Sequence, residues 1–160
     1  MRRKFATVAV GGTFDEFHKG HRTLLIKAFQ ISEQVLVGLT SDDFVEKLNK
    51  PHPTAPYKER LEELKAFLRE HDFLERTTII PLDDVYGVTL SKGCVEALVV
   101  SRETEPTALK INEKRKTIGL PPLYIVVIDM VPSENHVSIS TTRIRRGEID
   151  REGVLLKKSD

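Results

Sequence analysis

The sequence predicts an α/β fold: a single Rossmann-like domain over residues 1–160, with a doubly wound parallel sheet of five strands and helices on both faces. Two observations support this prediction. Short apolar, β-branched segments alternate along the chain with longer amphipathic segments, which is typical of β-α-β units joined by right-handed crossovers. The 160 residues are also enough to bury a full hydrophobic core, and no repeat or linker divides them.

The first β-α-β unit is predicted over residues 5–39. Residues 5–10 form a short apolar strand that stops at a pair of glycines, as buried strands do before a tight turn. From Lys19 to about Ser32 apolar residues recur at helical spacing, and residues 35–39 then form a second buried strand. These three elements make one complete parallel crossover unit.

The remaining elements continue the same alternation. A short helix with Ser41 as its cap is predicted to be anchored by Phe44 and Leu48. A longer helix carries an apolar stripe from Tyr57 to Leu68, with its members three or four residues apart. The later segments are a strand at 77–82, a helical turn around 91–96, a strand at 98–100, a helix around 108–118 and a strand at 124–131.

Composition and charge exclude several classes of protein. The 25 lysines and arginines balance 24 acidic residues, whereas a domain that holds nucleic acid by bulk phosphate attraction normally carries a large basic excess. Cys94 is the only cysteine, which excludes an intrachain disulfide and a cysteine-based zinc cage. No segment approaches the roughly 18 apolar residues of a membrane helix. We therefore expect a cytoplasmic protein that binds neither nucleic acid nor a membrane.

The first segment that carries chemistry is the turn after strand one, residues 11–21. Ligands of parallel sheets bind beyond the carboxyl ends of the strands, where this turn lies. Gly11 and Gly12 let backbone N–H groups approach a ligand, and His18 and His21 are expected to share one face of the first helical turn. Together with the positive helix end, these groups predict an anion site. By themselves they fit equally well a plain turn, solvated histidines or half of a metal site.

A second segment, residues 138–146, follows strand five. Ser140 or Thr141 would suit a helix N-cap, which is the simplest interpretation of an isolated hydroxyl. The run of Ser140, Thr141 and Thr142 before Arg143 is more than one cap requires. Hydroxyls, N–H groups and a guanidinium at a helix start predict a second polyphosphate cradle that faces the first.

The two segments together resemble the nucleotidylyltransferase superfamily. Residues 18–21, His-Lys-Gly-His, match its His-x-Gly-His signature, and residues 139–143, Ile-Ser-Thr-Thr-Arg, are similar to its second motif. They stand in the superfamily's order, one after the first strand and one after the last, and span nearly the whole chain. The resemblance implies a nucleotidyl-transfer enzyme.

Within the superfamily, residues 11–15 and 99–104 and the compact length are similar to phosphopantetheine adenylyltransferases of the archaeal and eukaryotic type. The bacterial type has Thr-x-Gly-His and therefore only one of the two histidines. Cytidylyltransferases and archaeal FAD synthetases carry Arg-Thr/Ser-x-Gly where this chain has Asn-His-Val-Ser at 135–138. The resemblance implies adenylyl transfer from ATP to 4′-phosphopantetheine, which gives dephospho-coenzyme A and pyrophosphate in coenzyme A biosynthesis.

The resemblance also implies roles for individual residues. His21 would donate to an α-phosphate oxygen, His18 would assist at the polyphosphate, and Thr13 would bridge the two substrates. Arg143 is expected to take part in catalysis, whereas Asp15 has the wrong charge and is expected to brace the turn by hydrogen bonds. Mg²⁺ would enter with ATP, with no metal held by the protein. Further contacts with the nucleotide are expected from Gly12, Phe14, His21, Arg102, His136, Ser140, Thr141 and Thr142.

The resemblance further implies that a lysine after strand two meets the phosphate of the acceptor, and this chain has two candidates there. Lys50 directly precedes Pro51 and lies in a proline-rich loop, whereas Lys47 belongs to the short predicted helix. A helix fixes the direction of its side chains, and a preorganised cation loses less freedom when it binds. We therefore assign the role to Lys47.

Two alternatives remain open from the sequence. The chain could transfer an adenylyl or cytidylyl group to another phosphorylated acceptor, such as FMN or a phosphorylated alcohol. It could also be a nucleotide-binding or regulatory module without turnover, although the intact His18, His21 and Arg143 argue against this. A monomer or small homo-oligomer is expected, because packing on the sheet already uses the apolar stripes.

Overall fold

The computed structural model describes residues 3–48, 53–90, 93, 95–129, 144 and 150–154. These residues contain five strands, β1 (Phe5–Gly12), β2 (Ser32–Thr40), β3 (Thr77–Leu82), β4 (Ala97–Ser101) and β5 (Tyr124–Ile128). All pairings are parallel, and the strands lie in the order β3-β2-β1-β4-β5. The doubly wound parallel sheet is confirmed, and the direction of winding reverses between β1 and β4.

Four helices accompany the sheet in the described part of the chain. They are α1 (Lys19–Ile31), α2 (Asp42–Lys47), α3 (Tyr57–Glu70) and α4 (Glu105–Thr117), and a 3₁₀ turn at Leu74–Arg76 leads into β3. The predicted apolar stripe of α3 is confirmed, because Leu64, Phe67 and Leu68 are buried.

The two faces of the sheet are covered by different helices. Side chains of a strand alternate between faces, so Val8 and Val10 pack with Leu25 of α1 and Leu64 of α3 in the larger core. The intervening Ala9 instead packs in a second core with residues of α4. Helices therefore lie on both faces, as predicted.

Several element boundaries differ from the prediction; β2, for example, begins at Ser32 rather than at residue 35, and α4 begins at Glu105 rather than near residue 108. β1 continues through the glycine pair, because Gly11 and Gly12 still pair with β2. β5 was predicted to reach residue 131 but ends at Ile128, which is paired with Ser101, the last residue of β4. Residues 95 and 96 are not helical, and residues 91, 92 and 94 of the predicted helical turn lie outside the described residues.

Candidate active site

The candidate site lies where the sheet reverses its winding, at the carboxyl ends of β1 and β4. Parallel sheets of this type bind their ligands in the crevice at that point, because the connections on either side leave in opposite directions. The turn from Thr13 to His18 leaves β1 there, and the turn that begins at Ser101 leaves β4. The first predicted segment and Arg102 are thus brought to the same edge.

His18 and His21 hold each other at the start of α1. His18 is the N-cap, outside the helix, rather than a member of its first turn as predicted. Its Nδ1 accepts from the N–H groups of Gly20 at 3.0 Å and His21 at 3.4 Å. The Nδ1 of His21 in turn accepts from the N–H of His18 at 3.1 Å, and the two rings stack with their centroids 3.6 Å apart. A neutral imidazole whose Nδ1 accepts carries its proton on Nε2, so both rings offer an Nε2–H donor.

The glycine between the histidines has a steric reason. A Cβ at Gly20 would lie 2.8 Å from Cε1 and 3.0 Å from Nδ1 of the His18 ring. Because both atoms belong to the ring that caps the helix, any side chain at position 20 would push that ring away. The glycine of the His-x-Gly-His motif therefore leaves room for the His18 ring in its capping position.

His18 is electrically neutral at physiological pH. Its side chain is buried, and burial together with the guanidinium groups of Arg22 and Arg151 lowers its pKa from 6.5 to about 4. The anion site expected at this turn therefore gains no positive charge from His18. This ring can serve an anion as a hydrogen-bond donor, without a charge of its own.

The backbone N–H groups at the start of α1 have acceptors inside the protein. Lys19 donates to the carbonyl of Arg151 at 2.9 Å, and Arg22 donates to the carbonyl of His18 at 3.1 Å. The two N–H groups between them donate to the His18 ring, as described above. These four backbone N–H groups are therefore already bonded within the protein. An anion at this end of α1 would instead interact with the helix dipole and with the N–H groups of the histidine rings.

The acceptor for Lys19 belongs to a short segment near the end of the chain, residues 150–154, which we call the C-terminal strap. The Arg151 guanidinium binds Glu63 of α3 through two nitrogens, at 3.1 and 3.2 Å, and its Nε donates to Glu16 at 3.1 Å. The strap therefore joins α3 to the turn that carries the histidines. The sequence contains no local signal for this contact, because 88 residues separate Arg151 from Glu63.

Phe14 supports the histidines from the core. Its backbone has φ of 52°, in the left-handed region, and its side chain is buried. The ring lies against His21 with 5.2 Å between centroids in an edge geometry, and Phe17 lies 5.6 Å from the same imidazole. The expected contact of Phe14 with the nucleotide would therefore go through its backbone.

Asp15 braces the turn, as predicted. The carboxylate is buried and accepts from the N–H of Ala55 at 3.1 Å. That bond ties the β1 turn to the chain just before α3. A buried carboxylate next to the site therefore has a structural partner in the protein.

Arg60 is a functional candidate that the sequence analysis missed. It lies on α3, is almost completely buried, and donates to oxygens of Thr13, Thr40, Asp42 and Ala55. A signal was present, because position 60 lies on the apolar stripe of α3, three residues after Tyr57. An arginine on a stripe that faces the core is expected to have buried acceptors.

α2 is held firmly at its start, and Lys47 is its last residue. Ser41 caps the helix by accepting from the N–H of Phe44 at 3.2 Å, and the Phe44 side chain is buried. Leu48 was predicted to be a second anchor, but it is 43% exposed just after the helix ends. The Lys47 side chain is exposed, and Lys50 lies outside the described residues.

The remaining predicted residues are only partly described. Arg102 is exposed after β4, and its Nε donates to Asp129 at 3.1 Å, which links the ends of β4 and β5. Gly12 is the last residue of β1, directly before Thr13. His136, Ser140, Thr141, Thr142 and Arg143 lie outside the described residues.

Two further searches concern the described part of the chain alone. No three His, Cys, Asp or Glu side chains lie together there in a way that could hold a metal ion. None of the helices there combines the length and apolarity that a bilayer crossing requires.

Comparison with known proteins identifies relatives along the whole chain. Residues 9–147 match the model of the cytidylyltransferase-like family. A phosphopantetheine adenylyltransferase from Methanothermobacter thermautotrophicus is 48% identical over 158 residues, covering 99% of this chain and 94% of the relative. Another of that name, from Pyrococcus abyssi, is 44% identical, covering 97% and 98%. The crystal structure of a protein of unknown function from Archaeoglobus fulgidus has a TM-score of 0.69 at 34% identity, over 78% of this chain and 98% of that one.

Proposed function

The chain belongs to the cytidylyltransferase-like family and, within it, to the phosphopantetheine adenylyltransferases; from this premise we propose that it transfers the adenylyl group of ATP to 4′-phosphopantetheine. The products are dephospho-coenzyme A and pyrophosphate, a step of coenzyme A biosynthesis. The structural observation that carries the proposal is the histidine pair at the winding reversal, with both Nδ1 atoms used as acceptors.

The chemistry requires positioning and charge stabilisation more than proton removal. The phosphate of phosphopantetheine has a second pKa of about 6, so at neutral pH it is largely a dianion and can attack the α-phosphorus without a general base. Negative charge then develops on the α-phosphate oxygens and the leaving pyrophosphate. A donor that is already oriented stabilises that charge without reorganising during the reaction.

His21 supplies the oriented donor in this proposal. Its ring is fixed by the hydrogen bond from His18 and by the edge contact with Phe14, which sets the direction of Nε2–H. His18 remains neutral because its pKa is about 4, and it assists by donating from its own Nε2. In this proposal His18 caps the helix start and His21 donates to the reacting phosphate.

The other site residues have roles that support the same reaction. Thr13, next to Gly12 at the end of β1, would bridge the two substrates, and Arg102 would approach the nucleotide from the end of β4. Lys47 would meet the acceptor phosphate. The second segment, with His136, Ser140, Thr141, Thr142 and Arg143, would bind the triphosphate.

Mg²⁺ is proposed as part of the nucleotide substrate. It dehydrates reluctantly and is commonly bound through substrate phosphates with few protein ligands. Bound to the phosphates, it would offset charge on the departing pyrophosphate.

A substrate panel tests the proposed function. Pyrophosphate release is measured with ATP or CTP as donor and with 4′-phosphopantetheine, FMN or phosphocholine as acceptor. We expect release with ATP and phosphopantetheine, and dephospho-coenzyme A as the product identified by mass. Release that depends on FMN or phosphocholine would show that this compound, and not phosphopantetheine, is the acceptor. No release with any pair would favour a module without turnover.

Assembly and location complete the proposal. The large apolar side chains that stay exposed in the described residues come from several parts of the chain, with two of them in or directly after α4: Leu48, Val85, Leu109, Ile118, Tyr124 and Val154. That scatter supports a monomer or small homo-oligomer, and sedimentation velocity at micromolar concentration measures it. Because ATP is the proposed donor, the activity belongs in the cytoplasm.

A further inference from the structure

We propose that Arg60 is a positioning residue for this reaction, which fixes the chain after β1 and the chain after β2 relative to each other. The inference rests on the proposed function, because the two segments carry Thr13 and, through α2, Lys47. Arg60 itself is buried and acts through the backbone and side chains that it holds.

The contacts of Arg60 join three segments of the chain: the turn after β1, the junction between β2 and α2, and the residues just before α3. Its Nη1 donates to the carbonyl of Thr13 at 3.1 Å and to the carbonyl and hydroxyl of Thr40 at 2.7 and 3.2 Å. Its Nη2 donates to Asp42 at 3.0 Å, and its Nε donates to the carbonyl of Ala55 at 2.8 Å. One guanidinium therefore sets the spacing between the ends of two neighbouring strands and the starts of α2 and α3.

Asp42 extends this cluster to the surface. The same oxygen that accepts from Arg60 also accepts from the N–H of Tyr57 at 2.9 Å, while the Asp42 side chain stays 62% exposed. The Cζ of Arg60 lies over the Tyr57 ring, 5.7 Å from the ring centroid. The position of α2 relative to α3 is thus determined by a carboxylate that can be changed without opening the core.

The bonding pattern requires an arginine. Most of its acceptors are neutral oxygens, and the guanidinium reaches them through Nε and Nη1, while Nη2 binds the carboxylate of Asp42. A lysine ammonium is a point charge with three donors and cannot reach separate segments with a planar fork. Burying a cation is costly unless each donor is satisfied, so this arrangement is expected to hold its acceptors in one geometry.

The chain offers a matched control at the opposite edge of the sheet. Arg76 also binds backbone carbonyls, with Nη2 donating to Phe29 at 2.8 Å and Ser32 at 2.7 Å, and Nε donating to Glu33 at 3.0 Å. These acceptors lie where α1 ends and β2 begins, at the amino edge. Arg76 thus makes the same kind of bond at the edge remote from the site.

The experiment compares Arg60→Lys with Arg76→Lys at a temperature where both are folded. Both variants are expected to unfold at lower temperature than the wild type. Only Arg60→Lys should lose kcat/KM, by about tenfold or more, with a raised KM for phosphopantetheine, since misplacing reacting groups by a fraction of an ångström is costly. Equal changes in kcat/KM for the two variants would overturn the proposal.

A milder pair keeps the test available if Arg60→Lys does not fold. Asp42→Asn removes the charge that the exposed partner supplies to Arg60, and Asp43→Asn changes the neighbouring carboxylate in the same first turn of α2. We expect Asp42→Asn to raise the KM for phosphopantetheine several-fold more than Asp43→Asn does. Identical kinetics for these two variants would overturn the positioning role.

A substrate-independent measurement separates this inference from the proposed function. In hydrogen exchange, the N–H of Tyr57 should lose protection in Asp42→Asn and Arg60→Lys, but keep it in Asp43→Asn and Arg76→Lys. That pattern in a protein without transferase activity would retain the positioning role and reject the proposed function. Active wild type with unchanged exchange in all four variants would reject the positioning role alone.

Discussion

The carboxyl ends of β1 and β2 bury several polar side chains, whereas the amino ends of the same strands bury mostly apolar ones. At the carboxyl ends, four polar side chains are buried: Asp15, His18, Thr40 and Arg60. At the amino ends of the same strands, Ser32 is the only buried polar side chain in the described residues, and Phe5 and Phe29 supply apolar packing.

This contrast indicates which end of the two strands determines the geometry of the candidate site and which end contributes only to stability. A buried polar group costs free energy unless its hydrogen bonds are made, so each such group ties its neighbours to one arrangement. Apolar packing has no such directionality and contributes chiefly in proportion to the area buried. Changes at the amino end are therefore expected to affect unfolding alone, whereas changes at the carboxyl end are expected to affect turnover as well.

The largest expected effect is at the amino end. Phe29 is 2% exposed and stacks on Phe73 with their centroids 4.1 Å apart. Phe29→Ala should lower the free energy of unfolding by about 3–5 kcal/mol, because it leaves a cavity in the larger core. Urea unfolding measures this, and kcat/KM of the folded fraction should stay within twofold or so of the wild type. A large loss of kcat/KM would break the contrast between the two ends.

The next effect is at the carboxyl end. His21→Ala should lower kcat/KM by about 3–4 kcal/mol, roughly a hundred- to a thousandfold, because one oriented donor to the developing charge is lost. His71→Ala, an exposed histidine just after α3, is the matched control and should keep its activity. His21→Ala turnover within a few-fold of the wild type would remove this residue from the mechanism.

The depressed pKa of His18 predicts a dependence of stability on pH. The unfolded chain binds a proton at His18 below pH 6.5, whereas the native state does so only near pH 4, so acidification favours unfolding in that window. The difference corresponds to about 3 kcal/mol of stability, present above pH 6.5 and lost as pH falls to about 4.

His18→Asn isolates this effect, because asparagine can still cap α1. The free energy of unfolding in urea should fall less between pH 7 and 4.5 for this variant than for the wild type. His71→Asn, the control, should keep the wild-type dependence. Parallel pH curves for the wild type and His18→Asn would show that burial of this ring does not depress its pKa.

The smallest expected effect concerns the acceptor phosphate. Lys47→Ala should raise the KM for phosphopantetheine by about three- to tenfold, the loss expected for one partly solvated charge-assisted hydrogen bond. Lys50→Ala should change it little. The reverse pattern would transfer the role to Lys50.

The sequence predicted the sheet and the histidine pair because both depend on local patterns. Apolar runs and helical spacing are properties of short segments, and residues 18–21 form one compact motif. Strand ends were less predictable, since β5 stops where its partner β4 stops. The end of β5 therefore depends on a neighbouring strand and not on its own local sequence.

The acceptors of Arg60 and the contacts of the strap could not be predicted, for a similar reason. Arg60 meets Thr13 and Thr40 across 47 and 20 residues of sequence, and Arg151 meets Glu63 across 88. Helical periodicity places Arg60 on the buried stripe, but it does not identify the acceptors. Only the folded chain brings them together.

The most direct test of the histidine geometry is a single-turnover measurement of adenylyl transfer. Wild type and His21→Ala are mixed with saturating ATP, Mg²⁺ and phosphopantetheine, and formation of dephospho-coenzyme A is followed in one turnover. We expect the transfer step to slow by about a hundredfold or more, with the Kd for ATP nearly unchanged, because the lost donor acts on charge that develops in the transition state. An unchanged transfer rate together with weaker ATP binding would contradict this assignment and make His21 a ground-state nucleotide contact.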